Sequence, residues 1–490
     1  MFTFDNSYAR DLEGFYVPWR PAIVRAPRLL HLDRELADEL GLAIASMDEA
    51  ALAATFAGNA VPAGAQPIAQ AYAGHQFGGF SPRLGDGRAL LLGEVIDRQG
   101  RRRDIAFKGS GRTPFARNGD GKAAVGPMLR EVLVSEAMHA LGIPTTRSLA
   151  VVATGEPVQR ETTLPGAVLT RVAASHIRVG TFEFFASGGD GEQVRKLAEY
   201  TLGRHDPEHL DSPQPFLALL EAVIGRQAAL VAQWMNAGFI HGVMNTDNMA
   251  ISGETIDYGP CAFMEAYDPA TVFSSIDQFG RYAYRNQPEI ALWNLTRLAE
   301  SLLPLFDEEP EKAVALATEA LNDFPAQYRG HLLRGQRAKL GLVTEESDDA
   351  SLVEEWLALL HAEKVDYTLA WRRLADAASG DEAPLRGLFA DAGAPDSWLA
   401  RWKARCEREA GARSAADRAK ALRQVNPFVI ARNHRVEEAL AAASGEGNLE
   451  PFEKLLAALR RPFEEDGEQA PYGEPAPAEV TACYRTFCGT

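Results

Sequence analysis

The chain has 490 residues, of which 46% are hydrophobic and 24% charged, proportions typical of a folded globular protein. Its formal net charge of −17 argues against broad nucleic-acid binding, because that binding depends on neutralising phosphates with Lys and Arg. The acidic segment MFTFDNSYARDLEG lacks the features of a secretory signal, and no apolar run approaches the roughly 20 residues of a membrane-spanning helix. We therefore expect a cytoplasmic protein that binds neither nucleic acid nor membranes.

A β-hairpin is predicted between Ala89 and Lys108. The apolar run ALLLGEVI is followed by a DRQG turn and by RRRDIAFK. In the second run Ile105 and Phe107 alternate with Ala106 and Lys108, the period of a strand. Lys108 is therefore expected to end a strand.

Two glycine-rich segments flank this hairpin. LGDGR, residues 84–88, precedes it, and GSGRTPFARNGDGKAAVG, residues 109–126, follows it with five glycines and three cations. So much glycine predicts a loop in place of a regular element. Taken alone, LGDGR is more simply interpreted as a turn.

Two long helices are predicted next. Pro127 opens PMLREVLVSEAMHALGIP, in which leucines and alanines recur every four residues until Gly142 and Pro144 end the pattern. An amphipathic helix is expected over 216–237, closed by Gly238 in a left-handed cap. This second helix leads directly into HGVMNTDN.

The remaining chain is predicted to be mostly helical beyond about Gln287, where apolar residues follow a 3.6-residue period. Between Glu464 and Glu479 the composition shifts to Glu, Gly and Pro, which cannot bury a core. We expect this segment to be an exposed tether to a tail that carries Cys483 and Cys488, two of only four cysteines.

Four polar elements follow one another in the order found in protein kinases. Lys108 ends a strand, Glu131 lies on the next helix, Asp247 and Asn248 follow a long helix, and Asp257 follows a predicted tight hairpin, TDNMAISGETID. A strand lysine held by a glutamate can bind nucleotide phosphates, and an asparagine with an aspartate can bind Mg²⁺ through oxygen atoms. The sequence therefore predicts a site for ATP and magnesium.

The pattern departs from kinases at the catalytic base. A kinase base precedes the metal-binding asparagine by five residues, and Val243, which cannot accept a proton, stands at that position. Asp247 is the only nearby carboxylate. In addition, no GxGxxG precedes the lysine strand, and the cationic glycine loop follows it, so we expect a different phosphorus of ATP to face the acceptor.

Two alternatives stay open on these residues. A phosphotransferase acting on a small molecule or a protein would need another carboxylate as its base. A non-catalytic nucleotide-binding module, or pseudokinase, would have no need of both metal ligands, so Asn248 and Asp257 argue against it.

Several of these segments closely resemble the selenoprotein O family. They are YAGHQFGGFSPRLGDGR, KGSGRTPFARNGDGKAAVGPMLREVLVSEAMHALGIPTTRSLAV, ASHIRVGTFEFFA and HGVMNTDNMAISGETIDYGPCAFM. The resemblance implies an α+β, protein-kinase-like two-lobed fold, with an N-terminal β-rich lobe, a helical C-lobe and a helical C-terminal extension. It also implies that ATP binds in a flipped orientation and that AMP is transferred to Ser, Thr or Tyr hydroxyls of proteins, with release of pyrophosphate.

The resemblance further implies individual roles. Asp247 would accept the proton, Asn248 and Asp257 would bind Mg²⁺ or Mn²⁺ together with the nucleotide, and Glu131 would pair with Lys108. The remaining nucleotide contacts would be Gly85, Gly87, Arg88, Lys108, Asp120, Gly121, Arg171 and Arg178. We interpret His75 as a structural histidine outside the site.

The same resemblance sets the expected regions of the chain. They are an N-terminal extension (1–70), a kinase-like nucleotide-binding catalytic core (71–285), a helical C-terminal region (286–463) and a flexible tail (464–490). Family members carry selenocysteine or cysteine third from the end, and Cys488 occupies that position. A redox role is therefore expected for Cys488, with Cys261, Cys483 or a cysteine of a substrate protein as its partner.

Overall fold

The computed structural model describes residues 2–409, 411 and 413–487, and combines a sheet-containing N-terminal half with a helical C-terminal half. The strands are β1 (Tyr16–Pro18), β2 (Arg28–Leu32), β3 (Ile68–Gln70), β4 (Gly74–Gln76), β5 (Gly79–Ser81), β6 (Ala89–Ile96), β7 (Arg102–Lys108), β8 (Ala123–Ala124), β9 (Arg147–Gln159), β10 (Thr163–Ala173), β11 (Phe239–Ile240) and β12 (Ala262–Phe263). All but the pairs β4–β5 and β11–β12 belong to one sheet.

The helices of the first half are α1 (Ser7–Asp11), α2 (Arg34–Glu39), α3 (Glu49–Phe56), α4 (Val125–Ala140), α5 (Val179–Ser187), α6 (Gly191–His205) and α7 (Pro215–Ala237). Those that follow are α8 (Gln287–Phe306), α9 (Pro310–Asn322), α10 (Phe324–Lys339), α11 (Asp349–Glu363), α12 (Tyr367–Arg372), α13 (Leu374–Ala378), α14 (Ala383–Arg386), α15 (Asp396–Glu407), α16 (Ala415–Val425), α17 (Asn433–Ala441), α18 (Glu450–Leu459), α19 (Ala470–Gly473) and α20 (Ala478–Cys483). The predicted helical character beyond Gln287 is confirmed.

The main sheet is antiparallel and holds Lys108 near its centre. Its strand order is β1-β3-β6-β7-β10-β9-β2, with the short β8 also paired to β10. Lys108 pairs with Ala89 on β6 and with Leu169 on β10. The predicted hairpin is confirmed, and its alternation separates two cores, with Ile105 and Phe107 in one and Ala106 in the other.

Helix α4 packs against this sheet and presents Glu131 to Lys108. It begins at Val125, two residues before the predicted start, and its capping residue Leu141 precedes Gly142. Leu129, Leu133 and Ala137 are buried in the core. The spacing of apolar residues therefore correctly predicted both the helix and the face that it buries.

Helix α7 confirms the second predicted helix, and Gly238 closes it with a φ of 71° in the left-handed region. By length and composition α7 could cross a membrane, with a mean hydropathy of 1.5, although the sequence analysis found no such run. Its apolar side chains, among them Leu220, Val223 and Ile224, are buried in the protein core.

The segment after α7 differs from the predicted hairpin. Residues Thr246–Asn248 form a 3-10 helix, and Gly253 makes the expected turn. The two arms, however, do not pair with each other, because Ala250 bridges to Arg178 and Thr255 bridges to Thr145. The hairpin expectation was wrong, and the long-range bridge places Arg178 beside the Asp247 loop.

The Pro- and Glu-rich segment near the C-terminus is exposed over most of its length but is attached to the protein body. Gln469 and Gly473 are buried, and Arg432 donates a hydrogen bond of 3.0 Å to the Gly473 carbonyl. Thr486 pairs with Ser274. A fully exposed tether was therefore the wrong expectation for these anchored residues.

Candidate active site

One cleft of about 1510 Å³ collects the residues that the sequence analysis selected. Its lining includes Gly85, Gly87, Arg88, Lys108, Asp120, Gly121, Glu131, Arg171, Arg178, Asp247, Asn248 and Asp257. Nine Lys or Arg residues line the cleft against five Asp or Glu residues, in a chain whose net charge is −17. The cleft is therefore locally cationic and suited to an anionic ligand.

Four charged side chains form a network at the bottom of the cleft. Lys108 Nζ donates to Glu131 Oε1 at 2.6 Å and to Asp257 Oδ1 at 2.5 Å. Arg171 donates to the same Asp257 oxygen at 2.6 Å and contacts Glu131 Oε2 at 3.3 Å. The expected pairing of Lys108 with Glu131 is confirmed, and both cations contact the same two carboxylates.

Asp257 is held ionised in an unusual backbone conformation. Burial alone would raise the pKa of its carboxyl group, but Arg171, Lys108 and Arg178 outweigh burial and hold that pKa well below its usual range. Its φ is 64°, in the left-handed region that few non-glycine residues adopt. Such conformations concentrate at functional sites because the surrounding structure must enforce them.

Arg178 is a buried cation in the wall of the cleft. It forms no ion pair in the described part of the chain, its Nε has no hydrogen-bond partner there, and its guanidinium stacks over the Tyr72 ring at 4.3 Å. A buried cation that lines a cleft and lacks a partner favours binding of an anion.

The LGDGR turn is built into the rim of the cleft. Gly85 has a φ of 63°, and a side chain there would overlap the Phe115 ring. Gly87 approaches the Phe115 carbonyl so closely that an added Cβ would lie 3.0 Å from its oxygen. Gly85 and Gly87 donate their amides to Tyr72 and Gly85 carbonyls, so the turn serves mainly to position Arg88 in the cleft wall.

The second glycine segment closes against itself at Gly121. This residue has a φ of 69°, and its Cα lies against the Gly111 backbone with no room for a side chain. Asp120 next to it is exposed and accepts hydrogen bonds from Arg160 at 3.0 and 3.2 Å, and these bonds lower the Asp120 pKa. Asp120 therefore reaches the cleft wall already paired with a cation.

Asp247 is partly buried and packs against two glycines. Its Oδ1 has no hydrogen-bond partner in the described residues, and a Cβ added to Gly74 would lie 2.5 Å from that oxygen. Gly180 packs against the Asp247 backbone. Burial raises the pKa of Asp247 to about 7, although Arg178 opposes the rise. Asp247 also lines the cleft, where a carboxylate can accept a proton from a hydroxyl group.

Asn248 and Asp257 leave oxygen atoms suited to a hard cation. The Asn248 amide donates to the Val243 carbonyl at 3.0 Å, which orients the side chain, and Asp257 receives both cations at Oδ1. No cluster of three or more His, Cys, Asp or Glu side chains able to hold a metal exists among the described residues. The donor set fits Mg²⁺ shared with phosphates and water better than a dedicated protein cage.

Sequence reasoning missed a hydrogen-bond network behind Asp247. His75 Nδ1 and Thr246 Oγ1 both bond to the buried Glu183 carboxylate, and the His75 amide donates to Thr246 Oγ1 at 2.7 Å. The network ties β4 and α5 to the Asp247 loop. His75 does not line the cleft, in agreement with its interpretation as a structural residue.

The C-terminal part of the chain contributes a wall of the cleft, which the sequence did not predict. Glu437 and Ser444 lie in this wall, and so does the segment 484–487. Thr486 donates to the Pro260 carbonyl at 2.6 Å, and the neighbouring Cys261 is fully buried. Burial raises the pKa of Cys261 to about 12, so its thiol is a poor nucleophile.

Comparison with known proteins identifies the family. The family model described as protein adenylyltransferase SelO matches residues 1–460. Proteins called protein nucleotidyltransferase YdiU match at 61% identity in Cereibacter sphaeroides and 56% in Agrobacterium fabrum, each over 490 residues and the whole of both chains. A protein of that name in Chromobacterium violaceum is 60% identical over 97% of this chain and 99% of its own. The chain therefore belongs to the SelO family of protein adenylyltransferases.

Proposed function

We propose that this enzyme transfers AMP from ATP to Ser, Thr or Tyr hydroxyls of proteins. The observation that carries the proposal is the cationic cleft in which the Lys108–Glu131–Asp257–Arg171 network lies with Asp247 and Asn248. The acceptor oxygen forms a bond with the α-phosphorus, the bond to the β-phosphate bridging oxygen breaks, and pyrophosphate leaves. Asp247 takes the proton of the attacking hydroxyl.

The cations of the cleft hold the triphosphate. Lys108 and Arg171 are fixed by carboxylates, so they are oriented before the nucleotide binds. Arg178 forms no direct ion pair in the described residues and supplies a further positive charge, while Arg88 extends the cationic wall. Such preoriented charges stabilise the negative charge that develops on the phosphate oxygens and on the leaving pyrophosphate.

Asn248 and Asp257 are the residues that would hold Mg²⁺ or Mn²⁺ at this site. A bound divalent ion would neutralise phosphate charge there. Asp257 keeps its negative charge across the working pH range, since its pKa lies well below the usual value. The retention of both ligand residues supports an active enzyme over a pseudokinase.

A protein-kinase-like scaffold is part of the proposal. The order of a central strand lysine, a helix glutamate and a later pair of metal-binding residues supports it. The alternative of γ-phosphoryl transfer is disfavoured because Val243, which lines the cleft, cannot act as a base.

The test uses ATP labelled in parallel at the α- and γ-phosphates. Incubation with a bacterial protein extract, followed by mass spectrometry, should give α-label and an AMP mass increment on Ser, Thr or Tyr. The Asp257→Asn variant serves as the inactive control. Labelling from γ-labelled ATP alone would show that the enzyme is a phosphotransferase.

A redox role for Cys488 is also proposed, although Cys488 lies outside the described residues. The burial of Cys261 makes it an unfavourable partner, which leaves Cys483 or a cysteine of a substrate protein as the proposed partner. Activity measured after oxidation and after reduction should differ in the wild type but not in Cys488→Ser. Identical responses would exclude the role.

A further inference from the structure

We propose that a groove at the mouth of the cleft binds the protein substrate through a large apolar side chain close to the hydroxyl that is modified. The groove, here called the rim groove, has a volume of about 550 Å³ and is lined in part by Phe77, Ile276, Phe279 and Glu289. Phe77 and Ile276 also line the catalytic cleft, so the two spaces adjoin each other. This inference rests on the proposed function.

The rim groove exposes an unusual amount of apolar surface. Phe279 is 96% exposed, Ile276 51% and Phe77 37%. Single exposed apolar residues are ordinary, but a group of them around a concavity marks an interaction surface. Because Phe77 and Ile276 line both this groove and the cleft that contains Asp247, a partner in the groove would be the molecule that delivers the acceptor hydroxyl.

Phe77 is fixed in place at an energetic cost. Its φ is 51°, which is unfavourable for a bulky residue. The conformation is enforced by its amide, which donates to Asn245 Oδ1 at 3.1 Å and to the Tyr282 hydroxyl at 3.2 Å. The Tyr282 hydroxyl donates to the same Asn245 oxygen at 2.7 Å. Asn245 lies two residues before Asp247, so the groove and the proposed base share one loop.

Phe279 and Ile276 are held outward by an ordered turn. The Asp277 carboxylate accepts hydrogen bonds from the amides of Arg281 at 2.9 Å and Tyr282 at 2.7 Å. Because Asp277 is buried and its carboxylate is occupied by these amides, the turn is rigid while both apolar side chains remain exposed. A preordered apolar surface loses little entropy when a partner covers it.

Charge gives the second element of recognition. Glu289 is exposed and forms no ion pair within the described residues, whereas the Arg281 guanidinium stacks on the Trp293 ring at 4.9 Å. A basic residue of the acceptor segment that reaches Glu289 can therefore form an ion pair there.

The test is a positional-scanning set of synthetic peptides. Each peptide has one Tyr acceptor and one Lys in an Ala-rich parent sequence, with a single Phe at successive positions on either side of the Tyr. Transfer of α-label should be about tenfold more efficient for at least one Phe position than for the parent, corresponding to about 1.4 kcal/mol. Replacing Lys by Glu in that peptide should lower kcat/KM.

The matched variants locate the effect. Phe279→Ser, at a residue that lines the rim groove and not the cleft, should remove the Phe advantage through a higher peptide KM, while the KM for ATP and the thermal unfolding midpoint stay unchanged. Val314→Ser is the control, because Val314 on α9 is 50% exposed but lies in neither the cleft nor the rim groove. The Val314→Ser variant should keep the full advantage of the Phe-containing peptide over the parent peptide.

Two results would overturn the docking proposal: no Phe position exceeding the parent, or an advantage that survives in Phe279→Ser. If a bacterial extract is still α-labelled by the wild type and not by Asp257→Asn, AMP transfer stands and only the docking surface is wrong. If no extract protein is α-labelled, the proposed function fails and the docking proposal fails with it.

Discussion

The ammonium group of Lys108 lies 2.5 Å from Oδ1 of Asp257, so one carboxylate oxygen joins the central strand of the sheet to the loop that follows Asn248. Arg171 reaches the same oxygen from β10. This shared contact balances the charges of the site before nucleotide binds. It also means that a change at Asp257 affects both the cations and the proposed metal position.

Asp257→Asn is expected to lower AMP transfer by about 10²-fold or more, because a charged ligand that offsets phosphate charge is lost. Asparagine tolerates the left-handed φ of 64°, so the fold should be kept. ATP binding without metal should be retained or strengthened, since Lys108 and Arg171 lose a competing anion. Calorimetric titration with and without Mg²⁺ measures this, and full transfer activity would refute the metal assignment.

Asp247→Asn is expected to lower turnover by about 10²- to 10⁴-fold through loss of the proton acceptor. The same change should raise the thermal unfolding midpoint, because a buried carboxylate with an unpartnered Oδ1 becomes a neutral amide. Asp211→Asn is a control at an exposed carboxylate outside the cleft. Turnover equal to that of the wild type would assign the base to another group.

The sequence was informative where chemistry follows local periodicity. Alternation in β7 placed Lys108 at a strand end, and the four-residue spacing in α4 identified the helix of Glu131. Contacts between distant segments produce no such periodic pattern in the sequence. The bond from His75 to Glu183 spans 108 positions, and Ala250 pairs with Arg178 in place of its neighbouring arm. The tail was misjudged because composition does not reveal specific anchors such as Thr486.

Gly85→Ala is expected to destabilise the protein and raise the KM for ATP. The added methyl group would overlap the Phe115 ring, so the turn that carries Arg88 must shift. Gly100→Ala is the matched control, because Gly100 also has a positive φ, 79°, but has nothing within 4 Å of the added atom. The Gly100→Ala variant should lose about 1 kcal/mol of folding stability from backbone strain alone and keep the wild-type KM for ATP. Equal losses and equal KM values in the two variants would contradict a role for the Gly85 contact.

Lys339→Met is expected to stabilise the protein at neutral pH. Lys339 is buried between the Tyr367 and Trp371 rings without an ion pair in the described residues, and burial lowers its pKa to about 7. Its unfolded-state pKa is about 10.4, so the unfolded chain binds the proton more tightly. The resulting penalty is full below pH 7 and disappears as the pH rises towards about 10, at about 1.4 kcal/mol per pKa unit.

Comparing the wild type with Lys339→Met separates the titration of Lys339 from that of the other ionisable groups. The midpoint of urea unfolding should be higher for Lys339→Met than for the wild type at pH 7, and the difference should shrink steadily up to pH 10. Lys420→Met replaces an exposed lysine and should show no such trend. A difference that does not change with pH would mean that the folded protein holds the proton on Lys339 as tightly as the unfolded chain does, because the two rings stabilise the charge, and that burial carries no proton-linked cost.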